Sequence, residues 1–317
     1  MQEKGLFLQN IIAIIWDFDR TLSPHYMQRP LFEAYGIDEG MFWKEVNALP
    51  AYYARAGIRV DPSTCYLGHL LSYVEHGRLP GLTNAKLREL GGCLDFFPGI
   101  PELFTFLKGL VTKPEFAEAD LRLENYVVST GLAEMIRGSR IALALDGLWA
   151  SEFIEVPAGP GLDPESTPVS GPISQIANFH DNTTKTRAIF EINKGVNKYP
   201  SISVNDAIPE EERRVPFKNM IYLADGPSDI PSFSVVRRHG GLAYAVYAPN
   251  SDEQFAQAVT LQETGRVDAC GPADYTAESH TGKWLQLQVL RIARRIVGER
   301  RRVLEMRVGR GPVHLEG

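Results

Sequence analysis

Four short runs along the chain are almost continuously apolar and rich in β-branched or aromatic residues. They are residues 11–16 (IIAIIW), 125–128 (NYVV), 220–223 (MIYL) and 242–247 (LAYAVY). A run that is apolar without the alternation of a half-buried strand belongs to one covered on both faces, as in a parallel sheet. Each run ends at polar or glycine-containing turn residues, and helical-looking stretches lie between them. That alternation predicts a doubly wound α/β fold with a parallel sheet, and a ligand site beyond the carboxyl ends of its strands.

Residues 24–95 interrupt the alternation, since they carry helical patterns with no strand-like run. Asp61-Pro62 reads as an N-cap followed by proline at the first helical position, and Cys65, His69 and Tyr73 then share one face at four-residue spacing. The chain returns through Phe97-Pro98-Gly99-Ile100-Pro101, a turn that opens the amphipathic stretch ELFTFLKGL. Residues 158–171 (AGPGLDPESTPVSG) are rich in Pro, Gly and Ser and predict a loop or flap near the site. From Lys283 onward, Leu285, Val289, Ile292, Ile296 and Val303 keep one helical face apolar over about five turns. The expected division is an α/β core over 1–23 and 96–275, a helical insertion over 24–95 and a C-terminal amphipathic helix over 276–317.

The chain of 317 residues is 44% hydrophobic and 23% charged, enough to bury a full core and contrary to long-range disorder. Lys and Arg number 33 against 39 Asp and Glu, a formal charge of −6 that argues against a surface built wholly for nucleic acid. The cations are unevenly spread: residues 291–310 hold eight Arg and two Glu, or +6, which leaves −12 elsewhere. A helix packed on the core or on a second copy, with a solvated basic face, accounts for this segment. RNA or membrane-surface contact is the alternative. Cys65, Cys93 and Cys270 form neither a disulfide framework nor a CxxC pair, so a reducing cytoplasm is expected. The start MQEKGLFLQN lacks the pattern of a signal peptide, and an unprocessed chain without a membrane span is expected.

Four small motifs fall at the predicted strand ends. Asp17-Phe18-Asp19-Arg20-Thr21 is D-x-D-x-T directly after the first run, where two acids repel each other unless a cation or a task separates them. Ser129-Thr130-Gly131 follows the second run, and its hydroxyls and free backbone N–H groups suit a phosphate oxygen, although taken alone a helix cap is the commoner use of such residues. Lys185 falls in the first turn of a helix capped by Asn182 or Thr183, where a cation opposes the helix dipole and calls for an anion. Asp225-Gly226-Pro227-Ser228-Asp229 sets two carboxylates four residues apart, able to approach one hard cation or to form a turn with an Asp cap.

Taken together and in this order, these motifs resemble those of the haloacid dehalogenase superfamily. Asp17, Asp19 and Thr21 match the first motif, Ser129 the second, Lys185 the third, and Asp225 and Asp229 the fourth. The resemblance covers about residues 11–247 and is greatest to the phosphoserine-phosphatase-type branch, with residues 24–95 in the place of that family's helical cap. It implies a phosphatase whose nucleophile is Asp17 and whose general acid and base is Asp19, an acid that family dehalogenases lack at this position. It further implies Mg²⁺ held by Asp17, the Asp19 backbone carbonyl and Asp225, supported by Asp229. Thr21, Ser129, Thr130, Gly131 and Lys185 would bind the phosphoryl group. Ala224 stands where the family's fourth motif begins with glycine. Tyr26 stands where phosphoserine phosphatases carry a glutamate for the amino group, which argues against phosphoserine as substrate.

Substrate choice is expected to lie in the cap, where His25, Tyr26, Arg29, Trp43, Tyr52, Tyr53, Arg55 and His69 offer aromatic faces and cations. A small organic phosphomonoester is the expected substrate, because a cap that closes over a site excludes bulky polymers. A phosphotransferase or mutase of the same superfamily is the alternative enzyme. A binding or scaffold protein that uses the Arg-rich C-terminal helix is the alternative outside enzymes, and a homodimer through that helix is a possible partner state.

Overall fold

The computed structural model describes residues 8–308. The first run is a strand, β1 (Ile11–Trp16), buried at every position. Its side chains alternate between two cores: Ile12, Ile14 and Trp16 face one, Ile11, Ala13 and Ile15 the other. Burial of each large apolar side chain contributes roughly 1.5–3 kcal/mol, so this single strand commits the chain to two helical layers.

Six further strands complete the sheet: β2 (Arg122–Leu132), β3 (Gly147–Ile154), β4 (Gln175–Asn178), β5 (Met220–Ala224), β6 (Leu242–Tyr247) and β7 (Ala269–Pro272). Their order is β4-β3-β2-β1-β5-β6-β7, parallel throughout except that β4 runs antiparallel to β3. The predicted doubly wound α/β fold is therefore observed. Strands β3, β4 and β7 do not figure among the four apolar runs. β4 is exposed at all its positions, and β7 is only ACGP, so the outer strands of the sheet lack the double-sided burial that marks the central ones.

Between β1 and β2 lie the helices of the insertion: α1 (Arg29–Tyr35), α2 (Glu39–Ala54), α3 (Cys65–Glu75) and α4 (Asn84–Gly91). The core helix α5 (Glu102–Val111) follows the expected turn, and the short α6 (Ala133–Gly138) follows β2. Gly138 lies where α4 and α6 meet, and a β-carbon there would collide with the Arg88 carbonyl. The remaining helices are α7 (Thr184–Lys194), α8 (Ile230–Arg238), α9 (Asp252–Glu263) and α10 (His280–Val308). α5 and α10 cover the Trp16 side of the sheet, and α7, α8 and α9 cover the other. Phe32, Phe42, Leu67 and Leu70 of the insertion belong to the same apolar cluster as Trp16, so the insertion packs onto the core on that side.

Three local expectations are corrected. Helix α3 begins at Cys65 and not at Pro62: Asp61 accepts from the N–H groups of Ser63 and Thr64 as an N-cap does, but residues 62–64 form a turn ahead of the helix. The C-terminal helix begins at His280, and its apolar stripe ends early: Leu285, Val289, Ile292 and Ile296 are buried, but Val303 is 44% exposed. The expected helical residues 309–317 lie outside those described. The buried stripe packs within the same chain, so the face that motivated a homodimer is already covered. Part of the arginine face is also engaged, since Arg295 donates to the Lys218 carbonyl and to Asn219 Oδ1 at 2.6 Å each. Among the described residues no helix is long and apolar enough to cross a membrane.

Candidate functional site

Trp16 pairs with Val127 of β2 on one side and with Leu223 of β5 on the other. This register brings Asp17, Ser129 and Asp225 off three adjacent parallel strands at nearly one level. The Asp17 N–H still donates to the Leu223 carbonyl at 2.9 Å, so Asp17 is held as a continuation of the strand. Immediately afterwards the Phe18 carbonyl accepts from the N–H groups of Thr21, Leu22 and Ser23, which coils the chain into a tight turn and holds Arg20 at a left-handed φ of 58°. The two motif-one acids consequently diverge. Thr21 Oγ1 donates to Asp17 Oδ2 at 3.2 Å, whereas Asp19 Oδ1 accepts from the Met27 N–H at 2.9 Å.

Lys185 is 2% exposed and lies between two carboxylates, donating to Asp17 Oδ1 at 2.7 Å and Asp229 Oδ1 at 2.8 Å. It occupies the first turn of α7, as expected, but the cap differs. Asp181 accepts from the N–H groups of Thr183 and Thr184, and neither Asn182 nor Thr183 caps the helix with its side chain. Asp229 is fully buried and also accepts from the Tyr222 hydroxyl at 2.6 Å and Ser228 Oγ at 2.9 Å. Its carboxylate is therefore turned inward and does not cap α8.

Carboxylate oxygens of Asp17, Asp225 and Asp229 lie within 4.8 Å of one another. Three carboxylates share one ammonium here. Burial, together with mutual repulsion, pushes the Asp17 and Asp225 carboxyls above their ordinary range, although Lys185 pulls both down. Asp19 is raised by burial and by the neighbouring Asp17. Burial alone would lower Lys185, but the flanking Asp17 and Asp229 hold it well above an ordinary lysine. An all-oxygen donor set with surplus negative charge fits a hard divalent cation such as Mg²⁺.

Ser129-Thr130-Gly131 lies within the last residues of β2, where the pairing to β3 shifts between Val128 and Leu132. Ser129 Oγ accepts from the Gly131 N–H at 3.0 Å, and neither hydroxyl caps α6. A β-carbon on Gly131 would collide with the Met27 side chain, which lets the insertion approach the strand end closely. The Tyr66 hydroxyl on α3 donates to the Thr130 carbonyl at 2.7 Å. Between these elements lies a cleft of ≈ 330 Å³. Asp19, Thr130 and Gly131 come to it from the core, and Tyr26, Gln28, Trp43, Val46, Asn47, Pro62, Ser63 and Tyr66 from the insertion.

Of the cap residues singled out in the sequence, Tyr26 and Trp43 thus reach the cleft, and their rings pack 5.2 Å apart. Arg29 instead pairs with Glu33, the Tyr52 and Tyr53 rings meet edge to face, and His69 bonds Glu45 in a separate pocket. Thr21 spends its donor on Asp17 and does not line the cleft. The loop 158–171 is tied at Gly171 to Glu155, whose other carboxylate oxygen accepts from Asn84 at the start of α4. Gln28, Asn47, Ser63 and Tyr66 were not legible as site residues, since they come from separate segments with no shared spacing.

No family model matches the chain. It is 36% identical over 287 residues to a protein of Borreliella burgdorferi described as an uncharacterized protein, covering 89% of this chain and 97% of that one. The chain belongs to the family of that Borreliella protein. Among solved structures, a probable phosphoserine phosphatase from Vibrio cholerae is 15% identical with a TM-score of 0.48, over 92% of this chain and 69% of the other. A phosphoserine phosphatase in apo form gives 16% and 0.45, over 82% and 92%. A HAD family hydrolase from Salmonella enterica gives 15% and 0.45, over 76% of this chain and 64% of that one.

Proposed function

We propose that the protein is a Mg²⁺-dependent phosphatase of the haloacid dehalogenase type, acting on a small organic phosphomonoester. The observation that carries this reading is the divergence of Asp17 and Asp19. Both leave one strand end, but Asp17 lies against a buried lysine and the carboxylate cluster, while Asp19 lines the adjoining cleft. Two acids two residues apart are thereby suited to different tasks.

In this mechanism an Asp17 carboxylate oxygen attacks phosphorus in line, forming an aspartyl phosphate as the bond to the ester oxygen breaks. Asp19 gives its proton to that leaving oxygen. It then takes a proton from water, whose oxygen attacks phosphorus, releases inorganic phosphate and restores the Asp17 carboxylate. Thr21 and Lys185 hold Asp17 in place, and Asp229 holds Lys185. Ser129, Thr130 and Gly131 are assigned to the phosphoryl oxygens. Asp17, the Asp19 carbonyl, Asp225 and Asp229 would hold Mg²⁺, which when bound supplies positive charge to the phosphoryl oxygens. Residues 24–95 act as a cap over a core made of 1–23 and 96–275, with the cleft between them as the substrate chamber.

Hydrolysis of p-nitrophenyl phosphate tests the reading directly. Activity should appear with Mg²⁺, disappear with EDTA and return when Mg²⁺ is restored. Turnover that EDTA leaves undiminished would overturn the metal assignment.

A further inference from the structure

The turn that follows Asp19 carries a cation that the chain leaves unpaired. Arg20 is exposed, and among the described residues no carboxylate pairs with its guanidinium and no oxygen accepts from it. Its contact is aromatic: the guanidinium carbon lies 4.7 Å from the centroid of the Tyr26 ring. That ring in turn packs against Trp43 at 5.2 Å. Tyr26 and Trp43 both line the cleft, and so does Asp19, the residue that precedes Arg20 in the chain. Arg20 therefore stands at the rim of the cleft, where the motif-one turn meets the insertion. Its charge acts to both sides of that rim, since it pulls the Tyr26 hydroxyl and the Asp225 carboxyl down against the burial that raises them.

The backbone makes the choice of side chain here more telling. A left-handed φ of 58° is strained for a residue with a β-carbon and unstrained for glycine, so the turn by itself does not call for arginine. Strain of this kind is commonly kept where a side chain has a task. A permanently charged group with five uncommitted donors suits an oxyanion, and a flat guanidinium resting on a ring is held ready for one. The cleft wall offers no such counter-charge, because Asp19 is the only charged residue among those that line it.

Resting on the phosphatase reading above, we propose that Arg20 determines specificity by binding a second oxyanion on the substrate. The favoured substrates are then small phosphomonoesters that also carry a carboxylate or a second phosphate. The phosphoryl group to be hydrolysed goes to Asp17, and the other anion lies at the cleft mouth against Arg20, with the Tyr26 ring supporting the guanidinium.

The test compares three esters of one chain length on the full protein with Mg²⁺: 3-(phosphonooxy)propanoate, its neutral amide 3-(phosphonooxy)propanamide, and propane-1,3-diyl bisphosphate. The expected kcat/KM for at least one anionic ester exceeds that for the amide by about fivefold, the scale of an exposed charge pair in good geometry. Which of the two leads tells whether the second group is a carboxylate or a phosphate. Arg20→Gln should bring the anion-to-amide ratio close to one, and Arg20→Lys should retain part of it. Both variants keep a β-carbon, so the turn is equally strained in each. A ratio near one in the unaltered protein would overturn the proposal. So would equal losses on the amide and the anionic esters in Arg20→Gln, which would give Arg20 to the phosphoryl group common to all of them. Calorimetric binding of the same esters to Asp17→Asn, with and without Arg20→Gln, separates this claim from the phosphatase reading. Tighter binding of the anionic esters that Arg20→Gln abolishes, in a protein whose unaltered form hydrolyses no ester, supports the Arg20 assignment and refutes the phosphatase. Equal binding of amide and anionic esters refutes the Arg20 assignment whatever the turnover.

Discussion

The Tyr66 hydroxyl donates to the Thr130 carbonyl at 2.7 Å, a bond between the third helix of the insertion and the strand end that carries the second motif. Tyr66 is buried, and the same carbonyl accepts from Ser151 Oγ at 3.2 Å. This contact fixes the insertion against the core at the edge of the cleft. Tyr66→Phe keeps the ring and removes the donor, and should cost about 1 kcal/mol of stability. Backbone amides of α3 should exchange faster by hydrogen-exchange mass spectrometry, with those of β5 unchanged. Unaltered exchange in α3 would mean that the bond does not hold the insertion closed.

Lys185 is the only ammonium bonded to Asp17 and Asp229 among the described residues, and its removal leaves buried carboxylates uncompensated. Lys185→Met should destabilise the metal-free protein by about 3 kcal/mol. Millimolar Mg²⁺ should then raise the melting temperature of the variant more than that of the unaltered protein, since a divalent cation restores the missing charge. Equal Mg²⁺ shifts in thermal denaturation would show that lysine and metal do not serve the same carboxylates.

A second buried pair lies away from the cleft. Arg214 donates to Glu124 through two nitrogens, at 2.8 and 2.5 Å, and both residues are buried. Burial alone would raise the Glu124 carboxyl, but the bonds from Arg214 and Tyr126 outweigh it and hold it below the ordinary glutamate value. A depressed folded-state pKa contributes stability above the unfolded value, and that contribution is lost as pH falls through the folded one. Glu124→Gln should therefore lower stability by about 3 kcal/mol at pH 7. The gap to the unaltered protein should narrow as pH falls through the ordinary glutamate range and close only as it falls through the depressed folded-state value. Urea denaturation at pH 7 and pH 3.5 checks this, and a gap independent of pH would contradict it.

The central strands were legible because β1, β5 and β6 are apolar runs covered on two sides, and the same holds for the middle of β2. β4 and β7 were not, since an edge strand such as QIAN or ACGP carries too few buried side chains to leave a pattern. The acids were readable for the same reason as the strands: Asp17 and Asp225 mark the points at which an apolar run ends. Lys185 could be located on its helix, but its burial between Asp17 and Asp229 depends on the packing of α7 against β2 and α8, which spacing does not encode. The cleft was the least legible part. Gln28, Trp43, Ser63 and Tyr66 converge only through the packing of the insertion, and a polar residue without a partner looks like any surface residue in a sequence.

The account's central claim, that Asp17 and Asp19 perform different steps, is tested most directly by trapping the phosphoenzyme. Each variant, Asp17→Asn and Asp19→Asn, is mixed with p-nitrophenyl phosphate and Mg²⁺, quenched rapidly in acid and measured by intact mass spectrometry. Protonation of the leaving group matters little for p-nitrophenolate, so Asp19→Asn should form the intermediate but hydrolyse it slowly. The added phosphoryl mass should therefore accumulate in Asp19→Asn and be absent from Asp17→Asn. Phosphoryl mass on Asp17→Asn, or none on Asp19→Asn with substrate and metal bound, would contradict the assignment.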